Sequence, residues 1–194
     1  MASELKSHYS YRELAQLFEE GIEKAEELKR NSEELLTVKP DESSWSVCEI
    51  IQHLVKFNHL YLSFIDKAIA RSDSPVTGKK LFRARLFFRW YIRLLMPPYK
   101  MKVKTLSPLK PSGTENLDCY AELDRLIQTN REMIERIKIA EAEKLDLNRI
   151  KGKNSVLKIS MTLSDFILIW DAHQKRHFWQ AEKTLETTAR PAYN

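Results

Sequence analysis

Two histidines four residues apart, His173 and His177, stand in the stretch TLSDFILIWDAHQKRHFWQAEKTL (162–185), which contains neither Gly nor Pro. That composition predicts a helix. Residues at i and i+4 share one face of a helix, so the two imidazoles can grip one metal ion. Phe166, Trp170, His173 and His177 follow at steps of four, three and four, which places both rings on the core side, in line with large aromatics. Zinc and nickel accept neutral imidazole readily, and a catalytic zinc site has three protein ligands with one position open. The third ligand must come from a facing helix. His53, between Ile50 and Phe57 on a second apolar line, is the one other histidine placed on a buried face, while His59 falls away from that line towards the surface. Three imidazoles carry no charge, so a bound ion would keep its full positive charge. The ordinary alternative is that each histidine is a hydrogen-bonded core residue.

The same stretch excludes one enzyme class. In the HExxH metalloprotease motif a Glu follows the first His and acts as general base. Here that position is Gln174, which cannot take a proton. No other general base stands out. Asp171, two residues before His173, belongs on a different face as a solvated charge. Gln180 points at the site or packs on a neighbouring helix, with packing favoured. Asn58, on the second helix, is a similar candidate.

The elements that must position these side chains are helices. Gly is scarce, at 4 of 194 residues, so tight hairpins have little material. The seven prolines leave the windows 1–39, 41–74 and 112–190 uninterrupted. Ser10 with Glu13, and Ser46 with Glu49, form capping boxes that start helices near Tyr11 and Val47. Tyr9 with Leu14, and Trp45 with Ile50, suit the hydrophobic staple. Tyr120, Leu123, Ile127, Ile134 and Ile137 mark the buried face of a third helix. Asp165 serves the start of the fourth, near Thr162. The expected architecture is all-α, a four-helix bundle in one domain over 1–194, with helices about 11–30, 47–70, 116–139 and 162–186. A turn is expected at Gly152, and a short extended piece at Val156, Leu157 and Ile159.

Residues 72–112 read as an insertion between helices two and three, with a short helix and a Pro-rich loop. Positions 79–104 hold nine Lys or Arg and no acid. Taking those nine from the net charge of +5 leaves about −4 elsewhere, whereas a general nucleic-acid binder is basic more broadly. The segment reads as a lid packed on the bundle, with snorkelling arginines at its edge. A surface for membranes or nucleic acid is the alternative. Arg85, Arg89 and Arg93 form a stripe that could draw an anionic substrate to the bundle mouth. Cys48 and Cys119 are far apart in sequence with no CxxC pair, which fits a reducing cytoplasm. No apolar run approaches the roughly 20 residues of a membrane span.

Three features together resemble the DinB/YfiT-like superfamily of metal-dependent enzymes. They are WSVCEIIQHL (45–54), DAHQKRHFWQAE (171–182), and the order of four long helices at this chain length. The resemblance covers the chain apart from 72–112. It implies a crossover bundle (up-down-down-up) and a divalent metal, zinc or nickel, held by His53, His173 and His177. It also implies a small-molecule substrate, hydrolysis or transfer of a low-molecular-weight thiol such as bacillithiol or mycothiol, and a homodimer. No nucleic acid and no membrane are expected as partners. A non-catalytic interaction module with a structural or vestigial metal site is the competing reading.

Overall fold

Local capping decides where the long helices begin. Ser10, Ser46 and Thr162 each accept from the backbone three residues on, and Glu13, Glu49 and Asp165 return the bond to the cap. The computed structural model describes residues 5–71, 81–98, 105–113, 117–154 and 158–189. Its helices are α1 (Tyr11–Leu28), α2 (Glu33–Thr37), α3 (Val47–Ala70), α4 (Leu86–Leu95), α5 (Cys119–Ala142) and α6 (Leu163–Thr188). Strands β1 (Lys151–Asn154) and β2 (Ile159–Thr162) form an antiparallel pair with Lys151 opposite Thr162. No helix among the described residues is long and apolar enough to cross a membrane.

Side-chain pairs fix the direction of each long helix. Tyr11 at the start of α1 donates to the Leu145 carbonyl just past α5 (2.5 Å), and Lys29 beyond α1 meets Asp124 early in α5 (2.6 Å). α1 and α5 are therefore antiparallel. Asn58 with Thr129 and Asp66 with Arg136 keep nearly the same offset, 71 and 70 residues, so α3 and α5 run parallel. Phe18 against Trp170 and Lys24 against Glu182 make α1 and α6 parallel. His53 beside His173 and Phe64 beside Phe166 make α3 and α6 antiparallel. The bundle is up-down-down-up. The consecutive helices α1 and α3 face each other across a diagonal, as do α5 and α6, and α6 fills the slot between α1 and α3.

This topology explains residues 71–118. α3 and α5 are parallel neighbours of 24 residues each, so the chain must return along the bundle by about 36 Å at 1.5 Å per residue. The segment read as an insertion is that crossover. Its helix begins at Leu86, with Arg85 as the N-cap, so the arginine stripe is only partly helical. Tyr9 pairs with Phe82 through two backbone hydrogen bonds of 2.8 and 2.7 Å, which fastens the crossover to the start of α1.

Other boundaries differ for local reasons. α5 begins at Cys119 because the Asp118 carboxylate accepts from Ala121 N (2.9 Å), three residues later than the expected start at Asn116, which itself lies outside the described residues. α2 occupies part of the first connector, capped by Ser32. Gly152 is in β1, not a turn. A Cβ there would stand 2.9 Å from the Ala68 Cβ and 3.1 Å from the Phe166 ring, so glycine lets the strand lie against α3 and α6. Val156 and Leu157 lie outside the described residues, and Ile159 is in β2. Cys48 and Cys119, distant in sequence, meet across the α3–α5 contact, where the neighbouring thiol and burial push Cys119 up.

The core divides into two apolar clusters stacked along the bundle. One gathers Phe18, Tyr61, Phe64, Phe166 and Trp170; the other gathers Leu36, Ile51, Leu54, Leu126 and Phe178. All four long helices turn polar or small where the clusters meet. The residues there are Gly21 on α1, His53 and Asn58 on α3, Thr129 and Asn130 on α5, and His173, Gln174 and His177 on α6. A polar layer through a bundle core is costly unless its groups find partners. That layer carries the histidines.

Candidate metal centre

His53, His173 and His177 converge, and each offers one ring nitrogen within 4.8 Å of the others. His53 arrives from the first half of α3, the other two from the middle of α6. Two of the rings are fixed by partners. His53 Nδ1 lies 2.7 Å from the Leu109 carbonyl, which accepts only, so Nδ1 carries the proton and Nε2 holds the lone pair. His177 Nδ1 lies 3.0 Å from Gln180 Oε1, which again leaves Nε2 free. His53 Nε2 and His173 Nε2 are 3.3 Å apart. Two nitrogens each about 2.0–2.1 Å from a tetrahedral zinc ion would be about 3.3–3.4 Å apart. The donor set fits a divalent ion, and the His53–His173 pair already stands at that spacing. No fourth His, Cys, Asp or Glu joins the group among the described residues.

Aromatic rings hold the histidines from outside. Phe57 stacks on His173 at 3.8 Å between centroids and 19° between planes. Trp45 stands 5.2 Å from His53 and lies nearly parallel to His177 at 6.4 Å. The Trp-Ser helix start, read in sequence as a staple and cap, thus also supplies a wall of the site. The histidines open onto a cavity of about 800 Å³, lined by Trp45, Tyr61, Tyr91, Leu95, Leu106 and Leu109 among others.

Charge at the cavity differs from the expected pattern. Arg85 binds Asp165 and Arg89 binds the carbonyls of Lys6 and Ser7, so neither steers substrate to this mouth. Among the described residues, the cations that line the cavity are Arg176 and Lys183. Sequence reasoning passed over both, although Arg176 sits three residues after His173 and one turn from it. Asp41 is the one carboxylate among the described lining residues. Hydrogen bonds from Ser44 and Ser43 hold it down to about 2, which makes it a poor proton acceptor.

The remaining candidates sort clearly. Gln180 bonds His177 rather than merely packing. Gln174 is buried, with its amide where a Cβ on Gly21 would be, so it faces α1 and not the histidines. Asp171 is buried rather than solvated. It pairs with Lys175 at 3.0 Å, on the far side from the cavity. Asn58 donates to Thr129 Oγ1 at 2.9 Å between α3 and α5. His59 is exposed, as expected.

Burial keeps the imidazoles neutral. It pushes His177 down to about 3, with His53 adding to the effect and Gln180 opposing it. It holds His173 well below the ordinary range, helped by His177 and His53. It lowers His53 against the opposing Leu109 hydrogen bond. Neutral imidazole is the form that binds metal. The native state then binds fewer protons than the unfolded chain below the unfolded value of 6.5. Stability is therefore flat above that pH and falls as the pH drops towards 3. From pH 6.5 to 4.5 His177 alone should cost the metal-free protein about 2–3 kcal/mol. Asp171, which burial pushes up to about 6, works in the opposite sense and returns part of this below pH 6. Urea titrations of metal-free protein across this window should show a net loss of stability on acidification.

The three histidines converge inside a crossover four-helix bundle, and sequence comparison identifies the family that shares this architecture. The DinB superfamily model matches residues 17–181, and the protein belongs to that superfamily. Among solved structures the chain is similar to YfiT from Bacillus subtilis, with 13% identity, a TM-score of 0.59, and coverage of 98% of this chain and 95% of that one. YfiT is described as a probable metal-dependent hydrolase with an unusual four-helix bundle topology. At this identity the likeness establishes the fold. None of the curated proteins compared is significantly similar in sequence.

Proposed function

We propose that the protein is a divalent-metal-dependent enzyme, with His53, His173 and His177 as the metal ligands, acting on a small anionic molecule by hydrolysis or group transfer. The observation that carries this reading is the open set of three neutral imidazoles facing a large cavity. A bound zinc or nickel ion supplies Lewis acidity that makes a water, or a low-molecular-weight thiol, nucleophilic at neutral pH. The chain's own groups do the rest. The Leu109 carbonyl and Gln180 hold the His53 and His177 protons on Nδ1 and aim Nε2 inward. Trp45, Tyr61 and Leu106 offer apolar surface to the body of a substrate, and Arg176 and Lys183 favour a negative group on it. The description of YfiT as a hydrolase supports the water-activating variant. The absence of a fourth protein ligand among the described residues favours a catalytic over a purely structural ion.

The test compares zinc- or nickel-loaded protein with chelated protein on a panel of anionic esters and amides, and on an electrophile with added thiol. Turnover that needs the ion and fails in His53→Ala is the expected result. A protein that takes up no stoichiometric ion would end the proposal. A subtler change probes the outer partner. Gln180→Leu should weaken metal binding by about 10–100-fold. Competition against a chromophoric chelator measures this, and Gln180→Glu should retain binding because it keeps the acceptor.

A further inference from the structure

The cavity that the histidines face differs in character from one end to the other. It follows the seam between α3 and α6, which are antiparallel, so residues later in α3 lie beside residues earlier in α6. In that direction from the histidines the walls are Phe57, Leu60 and Tyr61 on α3 and Ile169 on α6. α4, the segment read in sequence as a lid, packs on α6 and adds Tyr91 and Leu95. Phe57, Tyr61, Leu95 and Ile169 are all buried. In the other direction the cavity is polar and open. Ser43 ahead of α3, with Lys183 and Thr187 late in α6, lines it there, and all three are exposed.

The buried end starts at the histidines themselves. His173 stacks on Phe57 at 3.8 Å between centroids, and Phe57 stacks on Tyr61 at 4.0 Å. This row of rings flanks a stretch of α3 from His53 to Tyr61, about 12 Å at 1.5 Å per residue. The polar atoms at its far end meet each other, since Asn154 Nδ2 donates to Tyr61 Oη at 3.5 Å. Among the described lining residues, no carboxylate or ammonium stands at this end. Arg176 is buried at the level of the histidines, and its positive charge acts on Tyr91, His173 and His177.

We propose that the buried end is an acyl-binding site, which takes the apolar arm of a medium-chain or arylalkyl carboxylic acid derivative, with the acyl carbon at the histidines and the polar leaving part at the open end. An extended chain advances about 1.2 Å per bond, so about ten carbons fill the row. A sugar or a short polar peptide fits worse, because its hydroxyls and amides would lose water against apolar walls. The carboxylate of the free acid would stand near Arg176. Taken with the metal-dependent hydrolysis proposed above, on which this step alone rests, the substrate class is an ester or amide of such an acid. Hydrolysis of the ester joins the water oxygen to the acyl carbon and breaks the bond to the leaving oxygen. One water proton goes to the leaving alcohol, and the other is released from the acid at neutral pH.

The experiment is calorimetric titration of the full chain with hexanoate, octanoate and decanoate, first in chelator and then with zinc. Affinity should rise about fourfold per added methylene, as burial of each CH₂ implies, in both conditions. Ile169→Phe fills the far end. It should lower decanoate affinity at least about tenfold and leave hexanoate within about twofold. Loss of both would be loss of fold, and Leu60→Gln, at a half-buried lining position, then decides by flattening the rise with chain length. Thr187→Val at the open end should leave that rise unchanged. Affinity that ignores chain length would overturn the proposal. So would a chain-length effect that responds to Thr187→Val and not to Ile169→Phe or Leu60→Gln. Octanoyl esters given to the zinc-loaded protein test the enzymatic reading separately: no turnover with the chain-length effect intact would end that reading and leave the acyl site standing.

Discussion

Replacing His173 with alanine should strip the protein of its divalent ion. His173 Nε2 is the nitrogen 3.3 Å from His53 Nε2, the separation that a shared ion requires. The two histidines left come from neighbouring helices, with no further His, Cys, Asp or Glu grouped with them among the described residues. Metal content should drop from about one ion per chain to a trace, because neutral two-ligand sites hold these ions weakly. Heat stability gives a second readout. An ion at 100 times its Kd adds about 2.7 kcal/mol to the parent, and it should add nothing to the variant. His173→Gln separates packing from ligation, since the amide fills space beside Phe57 yet is a poor ligand. If either variant is purified with a full complement of ion, the assignment of ligands is wrong.

The second large effect is structural. Asp165→Ala should cost about 3–5 kcal/mol. Its side chain is fully buried and accepts from Thr162 N (2.9 Å), Arg85 N (2.8 Å) and Arg85 Nε (2.6 Å). It closes the capping box of α6 and fastens α4 to it. Alanine would strand two backbone donors, while the Arg85 guanidinium, itself 44% exposed, can turn to water. Urea denaturation should show the loss with an unchanged slope, and Asp165→Asn should recover part of it. The site lies two turns further along α6, so metal affinity at low denaturant should change far less than stability. A cost below about 1 kcal/mol would show that Asp165 acts only as an ordinary exposed cap.

What could be read beforehand follows from how local each signal is. The starts of α1, α3 and α6 are written in three-residue capping patterns, and all three were found within a residue. The start of α5 lacks that box and was placed early. α2 has five residues, too few for periodicity to show. The role of Gly152 depends on Ala68 and Phe166 approaching it, a contact that no window around residue 152 contains. The three histidines were legible because each interrupts an apolar line on its own helix. Their outer partners were not equally so. Gln180 is on the same helix and was in view, but Leu109 comes from the crossover, 56 residues from His53, and its path is set by tertiary structure. The arginine stripe misled for a related reason. Arg85 and Arg89 were read as able to draw substrate to the mouth, because Asp165 and the carbonyls at 6 and 7 that claim them are distant in sequence.

The diagonal order of the bundle has a consequence for the newly made chain. Of the four long helices α6 is made last, and its neighbours are α1 and α3, both made early. Until it arrives, Phe18, Tyr61 and Phe64 have no Trp170 or Phe166 against them, and His53 waits 120 residues for His173. A chain halted before α6 therefore presents an open apolar trough and lacks two of the three candidate ligands. Contacts of such long sequence separation form slowly. Nascent protein of this topology should depend on a holdase for as long as that trough is uncovered, and metal loading should follow release.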